Sequence, residues 1–147
     1  MRRIYYNSWL AKTLLAKKFD TSMLFGTICT KHAETNPLSE QVKRHESIHC
    51  EQYWEVTVVA FFVAVVLQIV FGGGWWFVAV PFVYYVLYFL EASLTWCFRL
   101  VTDGWKSAAR MAYEYSMFEQ EARAGEGDVG YVESRRFCAF LRYFGRI

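Results

Sequence analysis

Residues 45–55 read His45-Glu46-Ser47-Ile48-His49-Cys50-Glu51-Gln52-Tyr53-Trp54-Glu55. The fold and the chemistry that we expect of this chain both depend on this segment. It contains the pattern H-E-x-x-H. Residues four apart share one face of an α-helix, so His45 and His49 lie one above the other and can bind one metal ion. Glu46 lies about 100° further round the helix, where its carboxylate can reach a water on that ion. The spacing therefore predicts a helix that carries a metal site and a general base.

Chance does not account well for this pattern. The chain has only three histidines, and two of them fall in this register beside a glutamate; by accident this should happen in well under roughly one such chain in a hundred. The alternative interpretation is a surface helix with solvated histidines. Gln52, the next polar residue on the metal face, and the long apolar run that follows favour a metal site. His32 precedes the break at Asn36-Pro37, and we expect it in a loop or strand and not at the metal.

The apolar residues are concentrated in one part of the chain. Of 147 residues, enough for one domain, 55% are hydrophobic and 20% aromatic. Between residues 56 and 90 the only strongly polar side chain is Gln68. Glycines 72–74 divide this run into two pieces of about 16 residues, roughly 24 Å each, against a hydrocarbon layer of roughly 30 Å. Extension into the flanking residues makes up the difference.

We therefore predict a membrane hairpin with a glycine tip and with Trp75 and Trp76 at the interface. The alternative, two buried core helices of a soluble protein, is less favoured because so small a chain has little else with which to cover them. Pro81 is expected to kink the second span.

Charge predicts the orientation of the hairpin. The glycine tip carries no cation, whereas basic residues precede and follow the two spans: Arg2, Arg3, Lys12, Lys17, Lys18, Lys31, Lys43 and Arg44 before, and Arg99, Lys106, Arg110, Arg123, Arg135, Arg136, Arg142 and Arg146 after. By the positive-inside rule both termini lie in the cytoplasm, which makes this an integral protein of the cytoplasmic (inner) membrane with the lipid bilayer as a partner. The net charge of +2 gives no case for nucleic acid.

The remaining segments are assigned from their hydrophobic pattern and from the residues that begin or break helices and strands. The chain start lacks the apolar core of a signal peptide. Four cysteines without a C-x-x-C pair are expected to be reduced small hydrophobes. We predict a single domain 1–147 built of five segments. The first, 1–35, contains an N-terminal helix (Ile4 to Phe19) and a strand or short hairpin (Ser22 to Lys31). The motif helix and first span follow over 36–71 with Asn36 or Ser39 as cap, then the second span over 75–101, a helix over 104–124 and a final helix over 131–144.

Two histidines do not complete a catalytic zinc site, which usually has three protein ligands and one open position. Glu119 and Glu121 are the candidates for the third ligand, on the helix that follows the hairpin. Being two apart, both cannot point at the metal. Glu91, at the cytoplasmic end of the second span, lies either near the metal or at the interface as an ordinary carboxylate.

A resemblance distinguishes the two candidates. The motif His45 to His49, followed roughly seventy residues later by Phe118-Glu119-Gln120-Glu121-Ala122, resembles the gluzincin arrangement, in which a glutamate from E-x-x-A completes a His, His, Glu shell. Membrane-embedded zinc peptidases of the prenyl-protein-processing type carry a similar F-E-x-x-A segment. The resemblance implies Glu119 as the ligand. Arg123 stands where those peptidases have an aspartate. The resemblance therefore does not identify the residue that orients a ligand histidine.

The chain is also similar over most of its length to small bacterial membrane proteins with an H-E-x-I-H-x-x-Q helix, a membrane hairpin and an A-Y-x-x-x-x-F-E-x-E-A helix. His45, Glu46, Ile48, His49 and Gln52 match the first block, and Ala112, Tyr113, Phe118, Glu119, Glu121 and Ala122 match the second. The expected fold is mainly α: one membrane metallopeptidase-like domain, built as a helical hairpin with a zincin-like site on the cytoplasmic side and a short N-terminal β-strand or hairpin.

The activity implied is zinc-dependent hydrolysis of a peptide or protein substrate. Zn²⁺ lowers the pKa of its water toward about 7, and Glu46 takes the proton as that water attacks the carbonyl. Tyr113 or Tyr115 could assist the oxyanion. The alternative is a non-catalytic metal-binding membrane scaffold or regulator. A dinuclear carboxylate redox site is disfavoured because a second Glu-x-x-His pair is missing. A hairpin so rich in aromatic residues could also pair with a second copy.

Overall fold

Helices dominate the computed structural model, which describes residues 2–17 and 19–145. Lys18 and Arg146, two of the basic residues that predict the topology, lie outside these ranges. The elements are β1 (Ile4–Tyr5), α1 (Trp9–Leu14), β2 (Thr21–Leu24), β3 (Thr27–Thr30), α2 (Glu40–Phe71), α3 (Trp76–Ala79), a 3₁₀ turn (Val80–Phe82), α4 (Val83–Asp103), α5 (Trp105–Glu114), α6 (Met117–Gly125), α7 (Tyr131–Ser134) and a 3₁₀ segment (Ala139–Tyr143). The prediction of a mainly α fold with a small N-terminal β element is confirmed.

Contacts divide the chain into two compact units. The first comprises Met1–Tyr53 and Ala122–Arg135, and the second comprises Trp54–Glu121 and Arg136–Ile147. The expected single domain stays a prediction.

The first unit contains a three-stranded sheet of order β1-β3-β2. β2 and β3 form the predicted hairpin, with Thr21 opposite Thr30, and β1 joins β3 in parallel. Phe25 and Gly26 both have positive φ in the two-residue turn, which is the backbone that tight hairpins favour. The side chains of Met23 and Ile28 are buried and give this unit part of its core.

The predicted N-terminal helix from Ile4 to Phe19 is wrong in extent. Ile4 and Tyr5 pair with Ile28 and Cys29 as a strand, and the helix is only the six residues of α1. Ser8 begins it, its hydroxyl accepting a hydrogen bond from the amide of Ala11. Because the backbone at the chain start hydrogen-bonds to β3, the amphipathic pattern there does not form a longer helix.

The motif lies in α2, a helix of 32 residues. The helix begins one residue after Ser39, whose hydroxyl accepts a hydrogen bond from the amide of Val42 at 3.3 Å, so the second of the two predicted caps is the one used. The helix ends at the predicted tip, where Gly72, Gly73 and Gly74 all have positive φ. Three such residues in succession suit glycine, because it lacks the Cβ that makes this backbone strained.

The second apolar run is interrupted at Pro81, as predicted. The chain passes from α3 through the 3₁₀ turn Val80–Phe82 into α4. Proline removes one backbone donor and crowds the preceding turn, which accounts for the local tightening. The side chain of Val80 is buried with Ala60 and Ala64, and Val83 packs against them, so this interruption lies inside the second unit.

The predicted continuous helix over 104–124 is wrong, because α5 and α6 are separated at Tyr115 and Ser116. The carboxylate of Glu91 accepts hydrogen bonds from the Ser116 hydroxyl at 2.8 Å and from the Met117 amide at 2.7 Å. A carboxylate that binds the first amide of a helix stabilises its start. Glu91 thus fixes where α6 begins. The sequence had left open whether Glu91 lies near the metal or is an ordinary carboxylate at the interface, and had not predicted this role.

The predicted final helix over 131–144 is also wrong. α7 is a single turn, Arg135 is extended, and Cys138 has φ +54° before the 3₁₀ segment begins. A left-handed residue cannot continue an α-helix. The side chain of Phe140 in this segment is buried against Phe118, with ring centroids 4.9 Å apart.

Two helical stretches, Glu40–Phe71 and Trp76–Asp103, are long and apolar enough to cross a membrane. Only 17% of the most apolar 18 residues of the first and 11% of the second are buried within the protein. Core helices of a soluble protein bury most of such a stretch, and large exposed apolar surfaces mark interaction sites. The burial therefore weighs against the two-core-helix alternative.

Candidate metal centre

Helix α2 brings the two motif imidazoles together. The rings of His45 and His49 meet edge to face, with centroids 4.8 Å apart, and their Nε2 atoms are 3.1 Å apart. Two nitrogens that bind one tetrahedral zinc ion at about 2.0–2.1 Å lie roughly 3.3 Å from each other. The spacing of the two Nε2 atoms therefore suits a shared ion.

The other ring nitrogens face acceptors. Nδ1 of His49 is 2.8 Å from the side-chain oxygen of Gln52, and Nδ1 of His45 is 2.7 Å from the carboxylate of Glu126. An acceptor opposite Nδ1 keeps the proton on that atom and leaves the lone pair on Nε2, which is the tautomer that binds metals. Each histidine thus has its own orienting partner.

Gln52 was singled out in the sequence as the next polar residue on the metal face, and it is completely buried. Glu126 was missed. It lies just beyond the C-terminal end of α6, 81 residues from His45 in the chain. The sequence offers one hint of its role: Glu126 comes seven residues after Glu119, which corresponds to two helical turns further along the same face.

Glu119 is placed by the first turn of α6. The helix starts at Met117 with its amide bound by Glu91, and Glu119 follows two residues later with only 3% of its surface exposed. The hydroxyl of Tyr88 donates a hydrogen bond to its Oε1 at 3.1 Å. The intervening Phe118 is completely buried, with its ring near those of Tyr84 and Tyr88.

Glu119, the third predicted ligand, belongs to the second compact unit, whereas His45 and His49 belong to the first. Its place in the metal shell stays a prediction. Two imidazoles and one carboxylate are the donor set of known catalytic zinc sites.

Glu46, the predicted general base, follows His45 in the same turn and is 8% exposed. Glu121, the other candidate for the third ligand, is completely buried. Glu119 and Glu121 point in different directions, because residues two apart on an α-helix are rotated by about 200° from each other.

The other residues considered from the sequence lie elsewhere. Cys50, which directly follows His49, is completely buried. His32 follows β3, with its Nδ1 3.4 Å from the side-chain amide of Asn36. The guanidinium of Arg99 lies over the ring of Tyr115 at 4.7 Å, and Tyr113 is 38% exposed.

Comparison of the chain with models of protein families, with curated proteins and with solved structures finds no match.

Proposed function

We propose that the protein is a membrane-bound zinc metallopeptidase that hydrolyses peptide bonds at the cytoplasmic face of the membrane. The observation that carries the proposal is the pair of motif histidines on α2: their Nε2 atoms are 3.1 Å apart, and Nδ1 of each faces an acceptor. The H-E-x-x-H spacing puts Glu46 beside these two histidines. Glu119 is the proposed third ligand, on the resemblance of its segment to that of known zinc peptidases.

The chain's own residues supply the remaining chemistry. A bound Zn²⁺ polarises the scissile carbonyl and makes an attacking water acidic near neutral pH. Glu46 accepts the proton of that water as its oxygen adds to the carbonyl carbon, and returns the proton to the nitrogen as the C–N bond breaks. Because Glu46 is largely buried, its carboxylate has few orientations, which favours proton transfer in a fixed geometry.

The membrane location is supported by the two long apolar helices. Cations flank both of them, whereas the glycine tip carries none. The positive-inside rule then places both termini and the metal residues on the cytoplasmic side, with the tip on the other.

The test compares Glu46→Gln with wild type, both purified in detergent. Zinc content is measured by atomic emission, and hydrolysis is measured on a mixture of fluorescence-quenched peptides randomised at every position. We expect about one zinc per chain in both proteins and a loss of hydrolysis of roughly 10²- to 10⁴-fold in the variant, because the glutamine cannot accept the proton.

Two results would contradict the proposal in different ways. Wild-type protein without zinc would remove the metal site. Zinc-loaded wild type that hydrolyses nothing, or no faster than Glu46→Gln, would leave a non-catalytic metal-binding membrane protein.

A further inference from the structure

Glu126 binds three residues of α2 at once. Its Oε2 is 2.7 Å from Nδ1 of His45, its Oε1 accepts a hydrogen bond from the Gln41 side chain at 2.7 Å, and its backbone carbonyl accepts one from Nε of Arg44 at 2.6 Å. The Glu126 side chain is 24% exposed, and that of His45 is 17% exposed. In so confined a place the contact between imidazole and carboxylate is screened only partly by water.

The Nδ1 atoms of the two histidines face partners of different charge. Nδ1 of His49 faces the neutral amide of Gln52, whereas Nδ1 of His45 faces a carboxylate. A carboxylate opposite Nδ1 fixes the ring and makes Nε2 a stronger donor to a metal, and loss of such a partner typically weakens metal binding 10- to 100-fold.

The position of Glu126 also answers a question that the sequence left open. Arg123, where the resembled peptidases have an aspartate, is exposed. Glu126 lies three residues later, and the close packing of Gly125 holds that turn in place: a Cβ there would come within 2.5 Å of the Tyr131 ring and 2.8 Å of Ile48. Only glycine allows the chain to approach α2 so closely at this point.

We infer that Glu126 is a positioning residue for the metal centre, holding His45 with Nε2 directed at the ion and strengthening that bond through its negative charge. The inference rests on the proposed metal site but not on peptidase activity. Gln41 and Arg44 in turn hold Glu126, through its second carboxylate oxygen and its backbone carbonyl.

The experiment is titration of metal-free protein in detergent with Co²⁺, whose visible absorption reports the number and kind of ligands. We expect Glu126→Ala to raise the dissociation constant 10- to 100-fold. Glu126→Gln keeps the shape and an oxygen for Nδ1 but loses the charge, so it should weaken binding less and shift the absorption band. Glu133→Gln, on an exposed carboxylate of α7, is the matched control and should bind as wild type does.

Thermal unfolding of the metal-free proteins separates positioning from folding. Glu126→Gln should unfold at the wild-type temperature and still bind Co²⁺ more weakly. If wild type binds Co²⁺ and both Glu126 variants bind it equally well with the same spectrum, the inference is wrong although the metal site stands. If wild type binds no Co²⁺, the metal site itself is wrong, and this inference falls with it.

Discussion

The two halves of α2 have opposite surfaces. In the first half the polar groups are inside: Glu46, His49 and Gln52 are at most 8% exposed. In the second half the apolar groups are outside, with Phe62 64% and Ile69 78% exposed. One uninterrupted helix therefore changes from a polar interior to an apolar exterior within a few turns.

The difference shows what each half requires. Buried polar groups are costly unless they have partners, and the imidazoles have theirs in Gln52 and Glu126. Large apolar side chains exposed in this way are costly in water but not in a lipid bilayer. We propose that the first half is organised around an ion and the second around the bilayer. Three predictions test this comparison, the largest expected effect first.

Removing the negative charge from Glu119, the proposed third ligand, should empty the proposed zinc site. Glu119→Gln keeps an oxygen for the Tyr88 hydroxyl, which now binds Oε1, but should weaken zinc binding on the order of a hundredfold or more, because one of three ligand bonds is lost. The measurement is zinc content after dialysis against a chelator of known affinity. Glu121→Gln is the control and should keep its zinc; the reverse outcome would make Glu121 the ligand.

An arginine in the apolar half should disturb membrane insertion. Phe62→Arg places a charge near the middle of the first apolar run, at a cost of about 2.5–3.5 kcal/mol if that run lies in lipid. The fraction of protein that stays in membranes after alkaline carbonate extraction should fall. Val42→Arg, at a 37% exposed apolar position of the first half, should leave that fraction unchanged. Equal extraction of both variants would contradict a bilayer location for the second half.

The smallest effect is expected where α2 ends. Gly73 has φ +96°, and alanine there should cost about 1–2 kcal/mol because its Cβ is strained in that backbone. The melting temperature of Gly73→Ala should drop by a few degrees. Gly127→Ala is the control, since Gly127 has open space around its Cα and no positive φ. A variant of Gly73 as stable as wild type would show that the tip does not need its left-handed turn.

Much of this was available from local sequence. The H-E-x-x-H spacing required only that α2 be a helix for the two Nε2 atoms to meet, and they do so at 3.1 Å. The glycines 72–74 and Pro81 interrupt the apolar runs where their backbone preferences predict. Glu119 was predicted as the third ligand through a resemblance, because the sequence pattern alone did not distinguish it from Glu121.

Two of the three errors in helix extent have a common origin in contacts between distant residues. Helical pattern extended over 104–124, yet Glu91 binds the Met117 amide and starts a new helix there. A basic amphipathic pattern extended from Ile4 to Phe19, yet Ile4 and Tyr5 pair with a strand more than twenty residues away. In each case a partner outside the local window supplied hydrogen bonds that the continuous helix would have made.

Local sequence is enough to locate the histidine pair on one helical face, the long apolar helices and the points where they break, because helical periodicity and the stereochemistry of glycine and proline act over a few neighbouring residues. The contacts of Glu126 with His45 and of Tyr88 with Glu119 were found only in the folded chain. Those pairings join groups 81 and 31 residues apart, and a side chain's hydrogen-bonding partner at such a distance depends on how the elements pack, which local pattern does not specify.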